Sequence, residues 1–222
     1  MILVAARDEA DRIADTIEAL REAFPGGRII VADDGSRDAT SDLALAHGAE
    51  IVSRRRPHGK GGSMTAAAAT VEPLTELGDP PTFLLCDGDL GSSAGELQRL
   101  VTAVEAGECD LAVAAFARRV GGGFGIALGF ARWVIRRRCG YRAVAAISGQ
   151  RAIRAEALRA VLPFAPSYGM EAGMTIDAVR AGFAVREIEL DLEHRASGRT
   201  FSGFAHRARQ LLDFTRVWWT RR

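Results

Sequence analysis

No stretch of the chain approaches the roughly 18 uncharged apolar residues that a membrane-spanning helix needs. The longest candidate, Val120 to Ala131, is glycine-rich and stops at Arg132. Cysteine is scarce: Cys86, Cys109 and Cys139 are odd in number and far apart. That spacing excludes a disulfide framework and a zinc site, and it points to a reducing, cytoplasmic compartment. The amino-terminus runs straight into Ile2-Leu3-Val4-Ala5-Ala6, with no basic region and no cleavage site, so no signal peptide is expected. Asparagine is absent, and Lys60 is the only lysine in an arginine-rich chain. There is neither an internal repeat nor a linker, so the 222 residues read as a single α/β domain. With 48% hydrophobic residues, wholesale disorder is excluded.

The net charge of +1 hides an uneven distribution. Residues 118–142 carry seven arginines and no acid, and residues 194–222 carry seven with Asp213 as the only acid. The rest of the chain is acidic. Two basic segments on an acidic body suit an anionic ligand or surface, and equally suit solvated helix faces.

Apolar runs and helical stripes alternate. Strands are expected at 2–6, 28–32, 51–53, 82–86 and 111–115. Helices are expected at 9–24, where Ile13, Ile17, Leu20 and Phe24 form one stripe, at 38–47, at 63–71, and around Leu97, Leu100, Val101 and Val104. This rhythm predicts a Rossmann-like, mostly parallel sheet with helices on both faces. The second half is less regular: an arginine-rich helix at 125–138, a strand at 143–148, helices at 155–162 and 171–181, a strand at 185–190 and a last helix at 204–219.

Acidic residues collect where the strands end. Strand one runs into Arg7-Asp8-Glu9, strand two into Asp33-Asp34-Gly35-Ser36-Arg37-Asp38, and strand four into Asp87-Gly88-Asp89. One such acid is often a helix cap. Three acidic ends line one crevice beyond the carboxyl edge of a parallel sheet, where ligands bind, and their repulsion calls for a cation or donors. In extended chain Asp87 and Asp89 point the same way, and Gly88 lets a ligand approach the backbone. Hard oxygens in this arrangement suit Mg²⁺ or Mn²⁺ bridged to a diphosphate. The lone lysine sits in Gly59-Lys60-Gly61-Gly62. Its ammonium and the flanking backbone N–H groups suit an anion at the start of a helix, although the spacing is not that of a Walker A loop.

Together, Ala5-Ala6-Arg7-Asp8-Glu9, Asp33-Asp34-Gly35-Ser36-Arg37-Asp38-Ala39-Thr40, Gly59-Lys60-Gly61-Gly62 and Asp87-Gly88-Asp89 resemble the family-2 glycosyltransferases of the GT-A fold. The match covers most of the chain, with Asp8 where the family usually has Asn. It is similar to polyprenyl-phosphate sugar synthases and to glucosyl-3-phosphoglycerate synthases. The resemblance implies a single GT-A domain, with a sugar-nucleotide-binding half (1–115) and an acceptor-side half with the C-terminal helix (116–222). It implies that Ala5, Glu9 and Asp34 hold base and ribose, and that Lys60, Asp87 and Gly88 lie by the diphosphate. Asp89 and His194, with Asp87 near, would bind the divalent cation. Gly149, Gln150 and Arg151, within Ser148-Gly149-Gln150-Arg151, resemble the acceptor-side loop. Glu171 opens a helix, where a carboxylate is favoured for structural reasons alone; the resemblance makes it a candidate base. Arg195 and Arg199 could clamp phosphate.

The expected reaction is transfer of a sugar from a UDP- or GDP-sugar to an anionic acceptor, with polyprenyl phosphate favoured over a soluble acceptor such as 3-phosphoglycerate. Phe130, Trp133 and Val134 alternate with arginines in 125–138. Phe204, Leu211, Leu212, Phe214, Trp218 and Trp219 do so beside Arg207, Arg209 and Arg216. That interleaving fits peripheral contact with the inner face of a membrane, and fits equally a core stripe or a homodimer contact. The chain lacks the glycine-rich loop with arginine of a sugar-1-phosphate nucleotidyltransferase and the Gly-x-Gly-x-x-Gly of a dehydrogenase after strand one. A non-catalytic sugar-nucleotide binder stays open. The tryptophans do not form an RNA-stacking platform, so nucleic acid is not an expected partner.

Overall fold

A computed structural model describes residues 1–54, 57–71, 73, 80–116, 126–192 and 201–221, with backbone only for 201–210. The first half alternates as expected: β1 (Ile2–Ala6), α1 (Ile13–Ala23), β2 (Ile29–Asp33), α2 (Thr40–Ala46), β3 (Glu50–Ser53), α3 (Lys60–Val71) and β4 (Phe83–Asp87). A 3-10 segment (Gly91–Leu97), α4 (Gln98–Glu105) and β5 (Leu111–Phe116) follow. The second half holds α5 (Ile126–Cys139), β6 (Arg151–Ile153), α6 (Ala155–Val161), α7 (Met170–Arg180), β7 (Val185–Leu190) and α8 (Phe201–Thr220).

One seven-stranded sheet runs β3-β2-β1-β4-β6-β5-β7. All pairs are parallel except those of β6, which is antiparallel to both β4 and β5. Strand alternation divides the core between two faces. Ile2, Val4 and Ala6 pack with Ile13, Ile17 and Leu20 of α1 and with Leu100 of α4. Leu3 and Ile30 pack on the other face with Met64 and Ala67 of α3, Leu158 of α6 and Met174 of α7. A third cluster joins Val134 and Ile135 of α5 to Ile176 of α7 and to Phe214 and Val217 of α8.

The strand expected at 143–148 does not form. The amides of Val144 and Ala145 donate to the Glu187 carboxylate at 2.9 and 3.0 Å, and Ser148 N donates to Ala145 O at 3.1 Å. A side chain and a turn thus satisfy the backbone that a ladder would have used. The strand is instead the short, fully buried Arg151–Ile153.

This shift positions the site. Ala5 of β1 lies opposite Asp87, and Ala6 opposite Asp33, so the ends of β1, β2 and β4 lie level at one edge. Because β6 is antiparallel, with Arg151 opposite Leu85, its amino end enters at that same edge. Residues 148–150 therefore arrive beside the acids that close β4.

Candidate active site

The loops after β1 and β2 are laced together. Asp8 adopts φ +56°, a left-handed conformation that Asp and Asn tolerate best among non-glycine residues. Its carboxylate accepts from Arg37 N at 2.8 Å, and its own N–H donates to Ser36 Oγ at 3.0 Å. The role is that of an acceptor, which Asp fills as well as Asn. Asp38 accepts from Ala10 N and Thr40 N, and Thr40 Oγ1 accepts from Glu9 N at 2.8 Å. Asp33 accepts from the amide and hydroxyl of Ser36 and from Ser41 Oγ.

Asp34 is held by donors from the start of α3. It is buried, and its carboxylate accepts from His58 N at 2.8 Å, Gly59 N at 3.0 Å and Ser63 Oγ at 2.7 Å, with Arg7 Nη1 3.7 Å away. The anion at the start of α3 is thus the protein's own carboxylate. Its effect is to fix the turn that presents Lys60. Gly59 takes φ +75°, and a Cβ on Gly61 would run into the carbonyl oxygen of Ala165. These glycines let α3 seat against 165–167. Gly88 likewise packs inward. Its N–H donates to Ala5 O at 2.9 Å, its carbonyl accepts from Thr16 Oγ1 at 2.9 Å, and a Cβ there would lie 3.0 Å from Ile13 Cδ1.

Lys60 is the hub. Its ammonium lies 2.6 Å from Asp87 Oδ1 and 2.8 Å from Glu171 Oε1. Burial alone would lower the lysine, but the two carboxylates outweigh it and hold the ammonium well above the ordinary lysine value. Gln150, buried, donates from Nε2 to Asp87 Oδ2 at 2.9 Å and accepts from Ser148 Oγ at 3.2 Å. A Cβ on Gly149 would lie 2.6 Å from Asp87 Oδ2, so only glycine admits this approach. Beneath the pair, burial pushes the Cys86 thiol well above its usual range, which leaves it inert.

Asp87, Gly149, Gln150, Lys60 and Glu171 therefore meet at one point, joined from β4, the 148–150 segment, α3 and α7. Asp87 and Asp89 are half-buried, while Cys86, Gly88 and Leu90 between and beside them are buried. Arg151 is only 1% exposed and does not reach the crevice surface, contrary to the expectation that it contacts an acceptor. His194, Arg195 and Arg199 lie outside the described residues. Sequence reading missed Ser63, Thr40 and Thr175, whose hydroxyls bind across elements; a hydroxyl in a first helical turn was the only local signal of Ser63 and Thr40, and Thr175, in the second turn of α7, had none.

Among the described residues no three carboxylate, imidazole or thiol groups form a metal-holding cluster. Asp87 is engaged by Lys60 and Gln150.

The family model described as glycosyl transferase family 2 matches residues 1–162. The chain belongs to that family. An undecaprenyl-phosphate mannosyltransferase of Micrococcus luteus is 27% identical over 221 residues, spanning 90% of this chain and 86% of that protein. The crystal structure of glucosyl-3-phosphoglycerate synthase from Mycobacterium tuberculosis with Mn²⁺, UDP and glucosyl-3-phosphoglycerate superposes with a TM-score of 0.75 at 25% identity. It covers 98% of this chain and 78% of its own. The same enzyme with Mg²⁺ and UDP gives a TM-score of 0.77 at 26% identity, over 98% and 78% of the two chains. This family-2 glycosyltransferase thus has the GT-A fold.

Proposed function

We propose that this glycosyltransferase moves a sugar from a UDP- or GDP-sugar to a phosphate-bearing acceptor, that it depends on a divalent cation, and that the acceptor is polyprenyl phosphate. The carrying observation is the convergence of Lys60, Asp87, Gln150 and Glu171 at the edge where β1, β2 and β4 end.

In this reading one domain divides into a donor half, 1–115, and an acceptor half, 116–222. Ala5, Glu9 and Asp34 line the base and ribose, and Asp34 also fixes the turn before Lys60. Asp89, with His194, holds Mg²⁺ or Mn²⁺. A cation there supplies charge to offset what builds on the leaving diphosphate. Asp87, steadied by Lys60 and Gln150, presents a fixed acceptor edge to the donor. Gly88 keeps the Asp87-to-Asp89 segment tight against α1. Gly149 and Gln150 hold the acceptor side of the crevice, and Arg195 and Arg199 supply cations for a phosphate. A phosphate acceptor is already an anion at neutral pH, so orientation rather than deprotonation is the main requirement. Glu171, tied to Lys60, then acts chiefly by orienting that ammonium.

The lipid acceptor is supported by α5 and α8. Ile126 and Trp133 on α5, and Leu212 and Trp219 on α8, are exposed, while Phe214 and Val217 turn into the core. Arg132, Arg136 and Arg137 are exposed on α5, and Arg216 sits between Leu212 and Trp219 on one face of α8. Apolar and cationic side chains in this mixture suit a membrane surface with anionic head groups. No helix among the described residues is long and apolar enough to cross a membrane. A second reading, transfer to a soluble acceptor such as 3-phosphoglycerate, is favoured by the likeness to the synthase crystallised with glucosyl-3-phosphoglycerate.

The test is a matrix of UDP- and GDP-sugars with Mg²⁺ or Mn²⁺ against polyprenyl phosphate in anionic vesicles and against 3-phosphoglycerate. Transfer to the lipid phosphate, lost in excess chelator and in Asp89→Ala, is the expected result. Transfer only to 3-phosphoglycerate selects the second reading. Donor binding without transfer to either makes the chain a binder.

A further inference from the structure

Among the described residues the largest fully buried side chain is a charged one, Arg151. Among the described residues it forms no ion pair. Nε donates to Ser148 O at 2.9 Å, Nη1 donates to Thr175 Oγ1 at 3.0 Å, and Nη2 has no partner. Burial lowers the guanidinium to about 10, against the pull of Glu171, the largest of the charges that raise it. An apolar side chain of similar volume would fill this space without that penalty. The position therefore calls for an account beyond packing.

The bonds of Arg151 run to both sides of the acceptor half. On one side, Ser148 O anchors the segment in which Ser148 Oγ meets Gln150 Oε1 and Gln150 Nε2 holds Asp87. On the other, Thr175 accepts from Arg151 and, one turn along α7 from Glu171, donates its own proton at 3.1 Å to the backbone oxygen of the residue whose carboxylate binds Lys60. Arg151 also feels the Glu171 carboxylate that Lys60 pairs with, and Glu187 beyond it.

We propose that Arg151 is a positioning residue that locks the Ser148–Gln150 segment to the start of α7, so that Asp87 and Glu171 face Lys60 in one fixed arrangement. A planar guanidinium donates in two directions at once, which a lysine at the same place does not. Arg151 touches no substrate, and it acts through Gln150 and Glu171. The kinetic consequence rests on the transfer reaction proposed above; the structural consequence does not.

The test uses Arg151→Met, Arg151→Lys and Thr175→Val in the full chain. Amide exchange is read on the protein without substrate, and transfer and donor-nucleotide affinity are read with Mg²⁺. In Arg151→Met, exchange should quicken about tenfold at 148–151 and 170–175 and stay unchanged at 7–10 and 34–40. Its kcat should fall tenfold or more while the donor KM stays within twofold. Arg151→Lys, keeping the charge and one bond, should regain part of the kcat. Thr175→Val should show the same pattern at about threefold, and it carries the test if Arg151→Met does not fold. Exchange that quickens across the whole chain, or acceptor-segment exchange and kcat within 1.5-fold of the parent in Thr175→Val, would overturn the proposal. A parent that transfers no sugar defeats the functional reading, while the exchange data still decide this one.

Discussion

Replacing Lys60 by methionine removes the one ammonium that separates Asp87 Oδ1, at 2.6 Å, from Glu171 Oε1, at 2.8 Å. The two carboxylates do not lose equally. The Asp87 side chain is 30% exposed and keeps its bond from Gln150, so water makes up much of its loss. The Glu171 side chain is 8% exposed and cannot be rehydrated in place. Removing one partner of a buried pair costs about 3–5 kcal/mol, and breaking an exposed pair costs about 0–1 kcal/mol. The mixed case puts Lys60→Met near 3 kcal/mol, toward the low end of the buried range. In a chain of this length each kcal/mol moves the midpoint by about 2–4 °C, so Tm should fall by about 6–12 °C. Urea titration measures the loss directly, with an unchanged slope as the sign that only the native state was affected. Adding Glu171→Gln should return at least half of the loss, because a neutral amide needs no counter-charge. A lysine held free for a donor diphosphate would contribute nothing to stability before donor binds. A loss under about 1 kcal/mol, the exposed-pair range, or no recovery in the double variant, refutes the assignment of Lys60 as the clamp between β4 and α7.

Gly149→Ala should act on the same clamp, because its methyl would run into Lys60 Nζ and sit 2.6 Å from Asp87 Oδ2; overpacking of this kind costs about 1–3 kcal/mol, and a crystal structure should find Lys60 and Asp87 pushed apart. Asp34→Ala strands three donors, His58 N, Gly59 N and Ser63 Oγ, and should cost about 2–3 kcal/mol, with Asp34→Asn in between; denaturant midpoints check the order. Tyr141 is raised to about 12, first by burial and then by Glu187. Its folded value lies above the unfolded value of about 10, so its contribution is complete below pH 10 and lost as pH rises toward 12. Tyr141→Phe should therefore flatten the fall in stability between about pH 10 and 11.5, and parallel curves for parent and variant would contradict the assignment.

The sequence by itself determined the parts of this enzyme that depend on local rules. Strand and helix periods, and the turn chemistry of Asp33-Asp34-Gly35 and Asp87-Gly88-Asp89, were enough to place acids level at one edge of a mostly parallel sheet. Period and turn residues act within a few positions of chain, so they can be read along it. Tertiary structure alone decided the partners. Asp34 finds its donors at His58, Gly59 and Ser63, and Lys60 finds its carboxylates at Asp87 and Glu171; no local pattern encodes such distant pairings. The apolar run at 143–148 carried a strand signal, yet Glu187 took its amides and the strand formed at Arg151–Ile153. The reversal of that strand also decided which residues complete the site, because only an antiparallel β6 delivers its amino end, with Gly149 and Gln150, to the edge where β4 ends. Arg151 shows the same limit from the other direction. The resemblance of its segment to an acceptor-side loop suggested a contact with an acceptor, but its place beside Leu85 in the middle of the sheet buried it.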